Sequence, residues 1–388
     1  MTRARAPKAL DGLKVLDFST TIAGPYCGRL LADMGADVVK IESPEGDVLR
    51  ARPPLRNGAS AAFGQLNAGK KSVTLDLKKP AALAAVHRMA EQADIIVENF
   101  RPGVMKRLGL DYETLAKVNP RLIFCSMSGY GQTGPSAERP AYAPVIHAAS
   151  GYDLAHLGYQ QGRTRPDFCG IFHADVVSGV YAYSAITTAL YQRERTGRGQ
   201  HIDVSMLETM LSLTLNELQW SQFPVEPPSR PMFGPMEAKD GYVMVAVVTE
   251  KAFRNFVTAC GRADFITDPR FAEYSNRRRN WDACMSELEN WSRTVTRDEC
   301  IAQLEKHDVA CSAYRTVAEA MDDAQLAHRD ALVEVTDSGG VFKALNPPFR
   351  MSASDARVGS HAAALGEHTR AVLKEAGLTH DEIKAAMG

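Results

Sequence analysis

The alternation of short apolar segments with segments of helical spacing, over the first half of the chain, is the feature that most constrains the fold. Residues 14–18 are rich in β-forming side chains, and residues 36–42 repeat that composition after a helical pattern at 26–34. We interpret residues 23–25 as a break after the first strand and Gly35 as the stop of the helix. This βαβ unit predicts a ligand site at the carboxyl ends of its strands.

The same alternation continues along the chain. We predict strands at 72–77, 94–98 and 122–126, a helix from Pro80 to about residue 91, a long helix at 174–194 and a short strand at 201–205. This order is typical of an α/β fold with a mainly parallel sheet covered by helices. No GxGxxG occupies the first turn and no GxxxxGK(S/T) occurs in the sequence, so neither a redox dinucleotide site nor a P-loop is indicated.

A change of composition near Phe223 predicts a domain boundary, because Pro224, Pro227, Pro228 and Pro231 interrupt regular structure there. Residues 1–222 are expected to form the first part of a large domain, and residues 223–327 a smaller α+β domain with a strand at 240–248. Residues 328–388, which end in a predicted helix at 368–376, are expected to return to the large domain.

The charge balance excludes some partners. Lys plus Arg number 45 against 46 Asp plus Glu, which argues against nucleic acid as the main partner. The seven cysteines form no CxxC, so neither a disulfide framework nor a metal site is indicated. No apolar run has the length of a signal peptide or of a membrane span, so we expect a cytoplasmic protein without membrane association.

Seven short motifs follow one another in a specific order and spacing. They are LDGLKVLDF at 10–18, AGP at 23–25, LADMGADVVKIE at 31–42, GKKSVTLDLK at 69–78, VENFRPG at 97–103, SGYGQTGP at 128–135 and TGRGQ at 196–200. On these motifs nearly the whole chain resembles the class III CoA-transferases, whose relatives include α-methylacyl-CoA racemases. The resemblance implies a Rossmann-like large domain built from both chain ends, a small domain, and a homodimer of two interlocked rings.

Asp175 stands at the start of the predicted long helix. The positive end of a helix stabilises a carboxylate by about 0.3–1 kcal/mol, which offsets part of the desolvation that would otherwise protonate it. Local sequence alone favours an ordinary N-cap aspartate over a catalytic one. The resemblance implies instead that Asp175 is the catalytic nucleophile, which forms a mixed anhydride and then an aspartyl-CoA thioester with no metal or redox cofactor.

The resemblance also implies a site for coenzyme A and its thioester. Backbone N–H groups near Ile22 and Ala23 are candidates for binding the thioester oxyanion, and Tyr142 is expected in the wall of the active site. The matching coenzyme A-binding positions are Ala23, Leu75, Lys78, Asn99, Phe100 and Arg107.

Three positions depart from the formyl-CoA-type members of the family. Ile22 replaces a glutamine, Ser43 replaces an arginine, and Ala143 replaces an acidic residue after Tyr142. These differences argue against an oxalate-specific pocket. We expect transfer of CoA from an acyl-CoA to a small carboxylic acid, with a C4 or C5 dicarboxylate as the suggested acid because many relatives use succinyl-CoA.

Two alternatives stand beside this interpretation. The first is an α-methylacyl-CoA racemase or epimerase, although the histidine of the racemase motif matches Tyr142, and neither His147 nor His173 lies on that motif. The second is a CoA-binding protein without turnover, for which Asp175 would be needless.

Overall fold

The computed structural model describes residues 7–160, 162–223 and 232–388. The chain divides into two units, one comprising Met1–Leu218 with Gln325–Gly388 and the other comprising Gln219–Ala324. The predicted proline-rich linker at 224–231 lies outside the described residues.

The strands are β1 Lys14–Asp17, β2 Asp37–Glu42, β3 Leu55–Arg56, β4 Ala59–Ser60, β5 Lys71–Thr74, β6 Ile95–Glu98, β7 Ile123–Ser128, β8 Gln200–Ser205, β9 Phe233–Ala238, β10 Gly241–Ala246, β11 Ala310–Ala313, β12 Leu332–Asp337 and β13 Gly340–Leu345. The helices are α1 Ala23–Asp33, α2 Ala61–Asn67, α3 Pro80–Ala90, α4 Val104–Arg107, α5 Tyr112–Leu115, α6 Ala143–Ala149, α7 Tyr152–Gly158, α8 His173–Thr196, α9 Met206–Leu211, α10 Leu215–Gln222, α11 Glu250–Ala259, α12 Tyr274–Arg279, α13 Trp281–Ser292, α14 Arg297–Lys306, α15 Val317–Met321, α16 Ala324–His328, α17 Thr369–Glu375 and α18 His380–Met387. Short 3₁₀ turns occupy Val48–Ala51 and Ala263–Ile266.

A six-stranded parallel sheet forms the centre of the larger unit, in the order β5-β2-β1-β6-β7-β8. The predicted α/β class is confirmed. The chain fills the sheet outward from β1 through β2 to β5, then crosses to the other side of β1 and continues through β6, β7 and β8. The carboxyl ends of β1 and β6 therefore flank the topological switch point, the usual place for a ligand in such sheets.

Both faces of this sheet are covered by helices, which explains why its strands are apolar on both sides. One buried cluster joins the sheet to α3, α17 and α18, and the other joins it to α1 and α8. Val15, Ile95 and Ile96 are fully buried within these clusters.

The start of α1 differs from the prediction. The sequence predicts a break at residues 23–25, whereas the helix begins at Ala23 and includes Pro25 as its third residue. The first N–H groups of a helix have no intrahelical acceptor, so a proline there costs no hydrogen bond and its fixed φ suits the helix.

The smaller unit has its own core. Strands β9, β10 and β11 form an antiparallel sheet, and helices α11, α13 and α14 pack on it around buried aromatic residues that include Phe253, Phe256 and Trp281. In the larger unit, β12 and β13 form a separate antiparallel hairpin. Among the described residues, no helix is both long enough and apolar enough to cross a membrane.

Candidate active site

The segments that follow β1 and β6 are tied together at the switch point. The Asn99 side chain accepts a hydrogen bond from the Thr20 N–H at 2.8 Å and donates one to the Thr20 carbonyl oxygen at 2.8 Å. Gly24 lies so close to this loop that a Cβ there would stand 2.1 Å from the Cβ of Ser19. Only glycine allows the first turn of α1 to approach the loop so closely.

A buried ion pair also stabilises the loop before α1. Lys40 Nζ donates to the Ser19 carbonyl oxygen at 2.6 Å and lies 3.1 Å from Asp47 Oδ2. The same carboxylate oxygen accepts the N–H of Thr21 at 3.1 Å. Thr21 has φ 68°, an unusual conformation for a β-branched residue. This bonding compensates for the strain and fixes the direction of the backbone as it enters Ile22 and Ala23.

Asp175 is the third residue of α8 and lies against the start of α1. Its half-buried carboxylate accepts a hydrogen bond from the N–H of Ala23, which is the first residue of α1. Burial raises the pKa of Asp175 to about 6, against the opposing effect of that hydrogen bond. The side chain is therefore a poorly hydrated carboxylate that is ionised at neutral pH.

Gly179, one turn after Asp175, makes this approach of the two helices possible. A Cβ on Gly179 would lie 2.7 Å from the carbonyl oxygen of Ala23 and 3.2 Å from the Tyr26 side chain. The contact brings the amino-terminal turn of α8 to that of α1, so the N–H of Ala23 meets the Asp175 carboxylate.

His147 binds the first turn of α8. Its Nε2 accepts the N–H of Ala174 at 3.1 Å, and its ring packs against Tyr152 and His173 at centroid distances of 5.8 and 5.5 Å. An acceptor at Nε2 requires the neutral ring, in keeping with a pKa of His147 that burial lowers. His147 thus caps the helix one residue before Asp175, a contact across 27 positions that the sequence did not predict.

A cavity of about 480 Å³ opens in front of Asp175. Ile22, Ala23 and Tyr142, predicted as the wall of the active site, line it together with Asp175, as do Asn99 and Phe100 from the predicted coenzyme A site. Other lining residues are Thr20, Thr21, Arg52, Arg101, Pro102, Met127, Ser128, Gly129, Ala137, Arg139, Ala141, Ala143, Pro144, Phe172 and Met206. Arg52, Arg101 and Arg139 are not among the site residues predicted from the sequence.

A second cavity of about 300 Å³ shares Thr20 and Phe100 with the first. Leu75 and Lys78 line it, as does Ser43. The two cavities together gather the predicted coenzyme A-binding residues except Arg107. Arg107 lies exposed in α4 and lines neither cavity.

Phe100, which faces both cavities, is fixed through its backbone. Its N–H donates to Glu98 Oε2 at 2.8 Å. Glu98 is buried at the end of β6, and burial raises its pKa to about 7, against the effects of hydrogen bonds from Ser126 and Phe100. The buried carboxyl group of Glu98, which does not line the larger cavity, thus fixes the backbone of Phe100.

No group of three or more His, Cys, Asp or Glu residues in the part of the chain that the structure describes is arranged to hold a metal ion. Asp175 is the one carboxylate among the described residues that line the larger cavity. The arrangement offers a carboxylate nucleophile beside backbone N–H groups at a helix start, which is suited to attack on a carbonyl carbon.

Comparison with known proteins gives one consistent family. The profile described as CoA-transferase family III matches residues 10–369. Acetyl-CoA:oxalate CoA-transferase of Acetobacter aceti is 37% identical over 384 residues, which cover 96% of this chain and 97% of the relative. Succinate–glutarate CoA-transferase of Agrobacterium fabrum is 32% identical over 383 residues, which cover 94% of this chain and 95% of the relative.

Solved structures agree with these sequence relatives. A CAIB/BAIF family protein from Brucella suis superposes with a TM-score of 0.84 at 34% identity, over 95% of this chain and 100% of that protein. The protein Rv3272 from Mycobacterium tuberculosis superposes with a TM-score of 0.84 at 30% identity, over 95% of this chain and 100% of that protein.

Proposed function

The chain belongs to CoA-transferase family III and is a CoA-transferase, and we propose that its reaction proceeds through covalent intermediates on Asp175. The observation that carries this proposal is the half-buried carboxylate of Asp175 at the meeting point of two helix starts, facing a cavity. An aspartate that only capped its helix would need neither the cavity nor the contact with α1.

The proposed reaction exchanges one acyl carboxylate for another. The Asp175 carboxylate attacks the thioester carbonyl of the acyl-CoA, and the C–S bond breaks to give a mixed anhydride and the CoA thiolate. The thiolate then attacks the Asp175 carbonyl and releases the donor acid, which leaves an aspartyl-CoA thioester. The acceptor carboxylate attacks this thioester, the thiolate leaves again, and its attack on the new acyl group forms the product acyl-CoA and restores Asp175.

The backbone around Ile22 and Ala23 is proposed to stabilise the oxyanions of these steps. The N–H of Ala23 already bonds to the Asp175 carboxylate, which aims a donor at the place where charge develops. The strained and tethered Thr21 holds that backbone in position before substrate binds.

Coenzyme A is proposed to extend from the larger cavity into the smaller one past Phe100. Phe100 would pack against the pantetheine arm or the adenine, Lys78 would bind phosphate, and Leu75 would contribute apolar contact. Asn99 supports the site differently from the sequence-based expectation, because two of its hydrogen bonds already hold Thr20. Arg107 stays a prediction as a phosphate ligand.

The acceptor is proposed to be a small dicarboxylic acid, with a C4 or C5 acid favoured. Relatives named for oxalate and for succinate with glutarate support this substrate class. Racemisation is disfavoured because Nε2 of His147, a histidine close to Asp175 in the fold, is engaged with the N–H of Ala174.

A homodimer of interlocked rings in the cytoplasm is also proposed. The seven cysteines are free thiols, as is usual in a reducing compartment. Apolar side chains are exposed on α8, on the segment before it, and on and between α9 and α10, and a second copy would cover them. They include Phe168, Ile171, Val176, Val180, Tyr181, Leu211, Leu213 and Leu215. A monomer in light scattering at micromolar concentration would rule this assembly out.

The experiment that tests the mechanism is the capture of an adduct on Asp175. After incubation with succinyl-CoA, addition of hydroxylamine should convert the activated Asp175 carbonyl into a hydroxamate, which peptide mass spectrometry locates. An unmodified Asp175 peptide, in a preparation that still transfers CoA, would refute the covalent route.

A further inference from the structure

The cavity in front of Asp175 carries more positive charge than its nucleophile balances. Arg52, Arg101 and Arg139 line it, against the single carboxylate of Asp175 among the described lining residues. Within the described ranges, 7–160, 162–223 and 232–388, no hydrogen bond or ion pair of these three guanidinium groups is found. By contrast, Arg29, Arg50 and Arg193 in the same unit each bond to a carboxylate or a carbonyl oxygen.

Arg52 and Arg139 reach the cavity from unrelated parts of the chain. Arg52 follows the 3₁₀ turn Val48–Ala51 after β2, whereas Arg139 lies in the segment between β7 and α6. Arg101 differs from them because it also lines a third cavity behind the site, with Glu98 and Asp203. Arg52 and Arg139 therefore line the cavity that contains the nucleophile and, unlike Arg101, do not line that third cavity.

In the proposed reaction, such cations would bind a charged group of the acceptor acid. The reacting carboxylate of the acceptor must approach the acyl carbon held by Asp175. A dicarboxylic acid brings a second carboxylate, which stays charged and would be costly to desolvate without a partner. A guanidinium group binds a carboxylate through two parallel hydrogen bonds, which also fixes the direction of the acid.

We propose that Arg52 and Arg139 form the subsite for the remote carboxylate of a dicarboxylic acid, and this inference rests on the proposed function. The subsite selects acids by the presence and the distance of the second carboxylate. Glutarate and succinate are then better acceptors than pentanoate and butyrate, which match them in length but end in a methyl group. Oxalate is disfavoured because its second carboxylate is attached directly to the first and cannot reach away from Asp175.

The test compares matched acceptors in matched variants. Arg52→Met and Arg139→Met keep the length of the side chain and remove its charge. Initial rates are measured with acetyl-CoA and, separately, succinyl-CoA as donor, against glutarate and pentanoate as acceptors. Arg88→Met, at an exposed arginine of α3 that lines none of the three cavities, is the control.

The wild-type protein should prefer glutarate, and each Met variant should lower kcat/KM for glutarate by roughly 10- to 100-fold, as expected for a lost hydrogen bond to a charged group. The kcat/KM for pentanoate and the KM for acetyl-CoA should stay within about 2-fold of the wild-type values. Arg52→Lys should retain part of the preference for glutarate over pentanoate, because it keeps the charge.

Other outcomes separate the inference from the function on which it rests. Equal losses with glutarate and pentanoate, together with a raised KM for acetyl-CoA, would mean that the arginines bind coenzyme A, and would overturn the subsite. An unchanged preference in both variants would overturn it as well. Failure of the wild-type protein to form any acyl-CoA product would contradict the transferase activity itself, before the arginines are considered.

Discussion

Replacing Asp175 with Asn should abolish transfer and at the same time stabilise the folded protein at neutral pH. The pKa of Asp175 is raised from 3.8 to about 6 by burial, and one pKa unit corresponds to about 1.36 kcal/mol. Ionised Asp175 therefore lowers the free energy of unfolding by about 3 kcal/mol at most, since the half-buried carboxylate keeps some contact with solvent. The Asn amide oxygen can still accept the N–H of Ala23, so the variant removes that cost without losing the hydrogen bond.

The sign of this effect depends on pH. Below pH 3.8 the carboxyl group is protonated in both the folded and the unfolded chain, and it contributes no difference. Between pH 3.8 and about 6 the unfolded chain loses its proton first, so the wild-type protein loses stability as pH rises. Above about 6 the loss is complete, and the stability advantage of Asp175→Asn reaches its plateau.

The assay measures thermal midpoint and initial transfer rate on the same preparations at pH 5 and pH 8, at one protein concentration. Transfer by Asp175→Asn should fall by at least about 10³-fold at both pH values, while its midpoint exceeds that of the wild type more at pH 8 than at pH 5. Asp381→Asn, at an exposed aspartate in the first turn of α18, is the control; it should leave transfer unchanged and lower the midpoint slightly at both pH values, because a carboxylate stabilises a helix start. Near-normal transfer by Asp175→Asn would refute the nucleophile, and a lower midpoint at pH 8 would refute the burial argument.

Four further predictions test the supports of the site. Gly179→Ala should lower both the thermal midpoint and the transfer rate, because its Cβ would meet the Ala23 carbonyl oxygen at 2.7 Å; an unchanged midpoint would contradict the close packing of α8 on α1. His147→Ala should lower the free energy of unfolding by about 1 kcal/mol, because it removes the hydrogen bond that caps α8. The wild-type protein should also lose stability as pH falls below 6.5, because His147 binds a proton more readily in the unfolded chain than in the folded one. Glu98→Gln should raise the midpoint more at pH 8 than at pH 5, since the pKa of Glu98 rises from 4.5 to about 7 on folding; equal midpoints of variant and wild type at pH 8 would oppose this. Lys78→Ala should raise the KM for acyl-CoA several-fold with kcat retained, and by more than Arg107→Ala does, as initial-rate kinetics will report.

The parallel sheet could be predicted because burial on both faces leaves a strong signature in sequence. Strands with interior positions such as Val15 and Ile95 are nearly continuous apolar runs, and helical spacing separates them. The start of α1 was mispredicted because Pro25 was interpreted as a breaker, although a proline is tolerated in the first turn. Helix α18 was missed despite a capping box formed by Thr379 and Glu382, a signal that the sequence does contain.

The site was predictable only where a local motif carries it. Ala23 stands in the AGP motif and Asp175 at the start of the predicted long helix, and the structure brings them to one cavity. The bond from the N–H of Ala174 to His147 spans 27 residues, and no periodicity encodes a partner at that distance. Arg52 and Arg139 are likewise indistinguishable in sequence from surface arginines, because only the folded chain places them in the cavity of Asp175.

Two apolar residues of the cavity wall also decide the electrostatics of this cavity. Ile22 and Ala143 line it as apolar residues, and among the described lining residues no second carboxylate shares a proton with Asp175. The raised pKa of Asp175 accordingly has burial as its cause and no neighbouring negative charge. A dicarboxylate acceptor would introduce such charges and would raise that pKa further, which removes the ionised form that attacks the acyl-CoA. Arg52 and Arg139, in the proposed subsite, would oppose this rise while they bind the remote carboxylate, so recognition of the acid and ionisation of the nucleophile depend on the same two side chains.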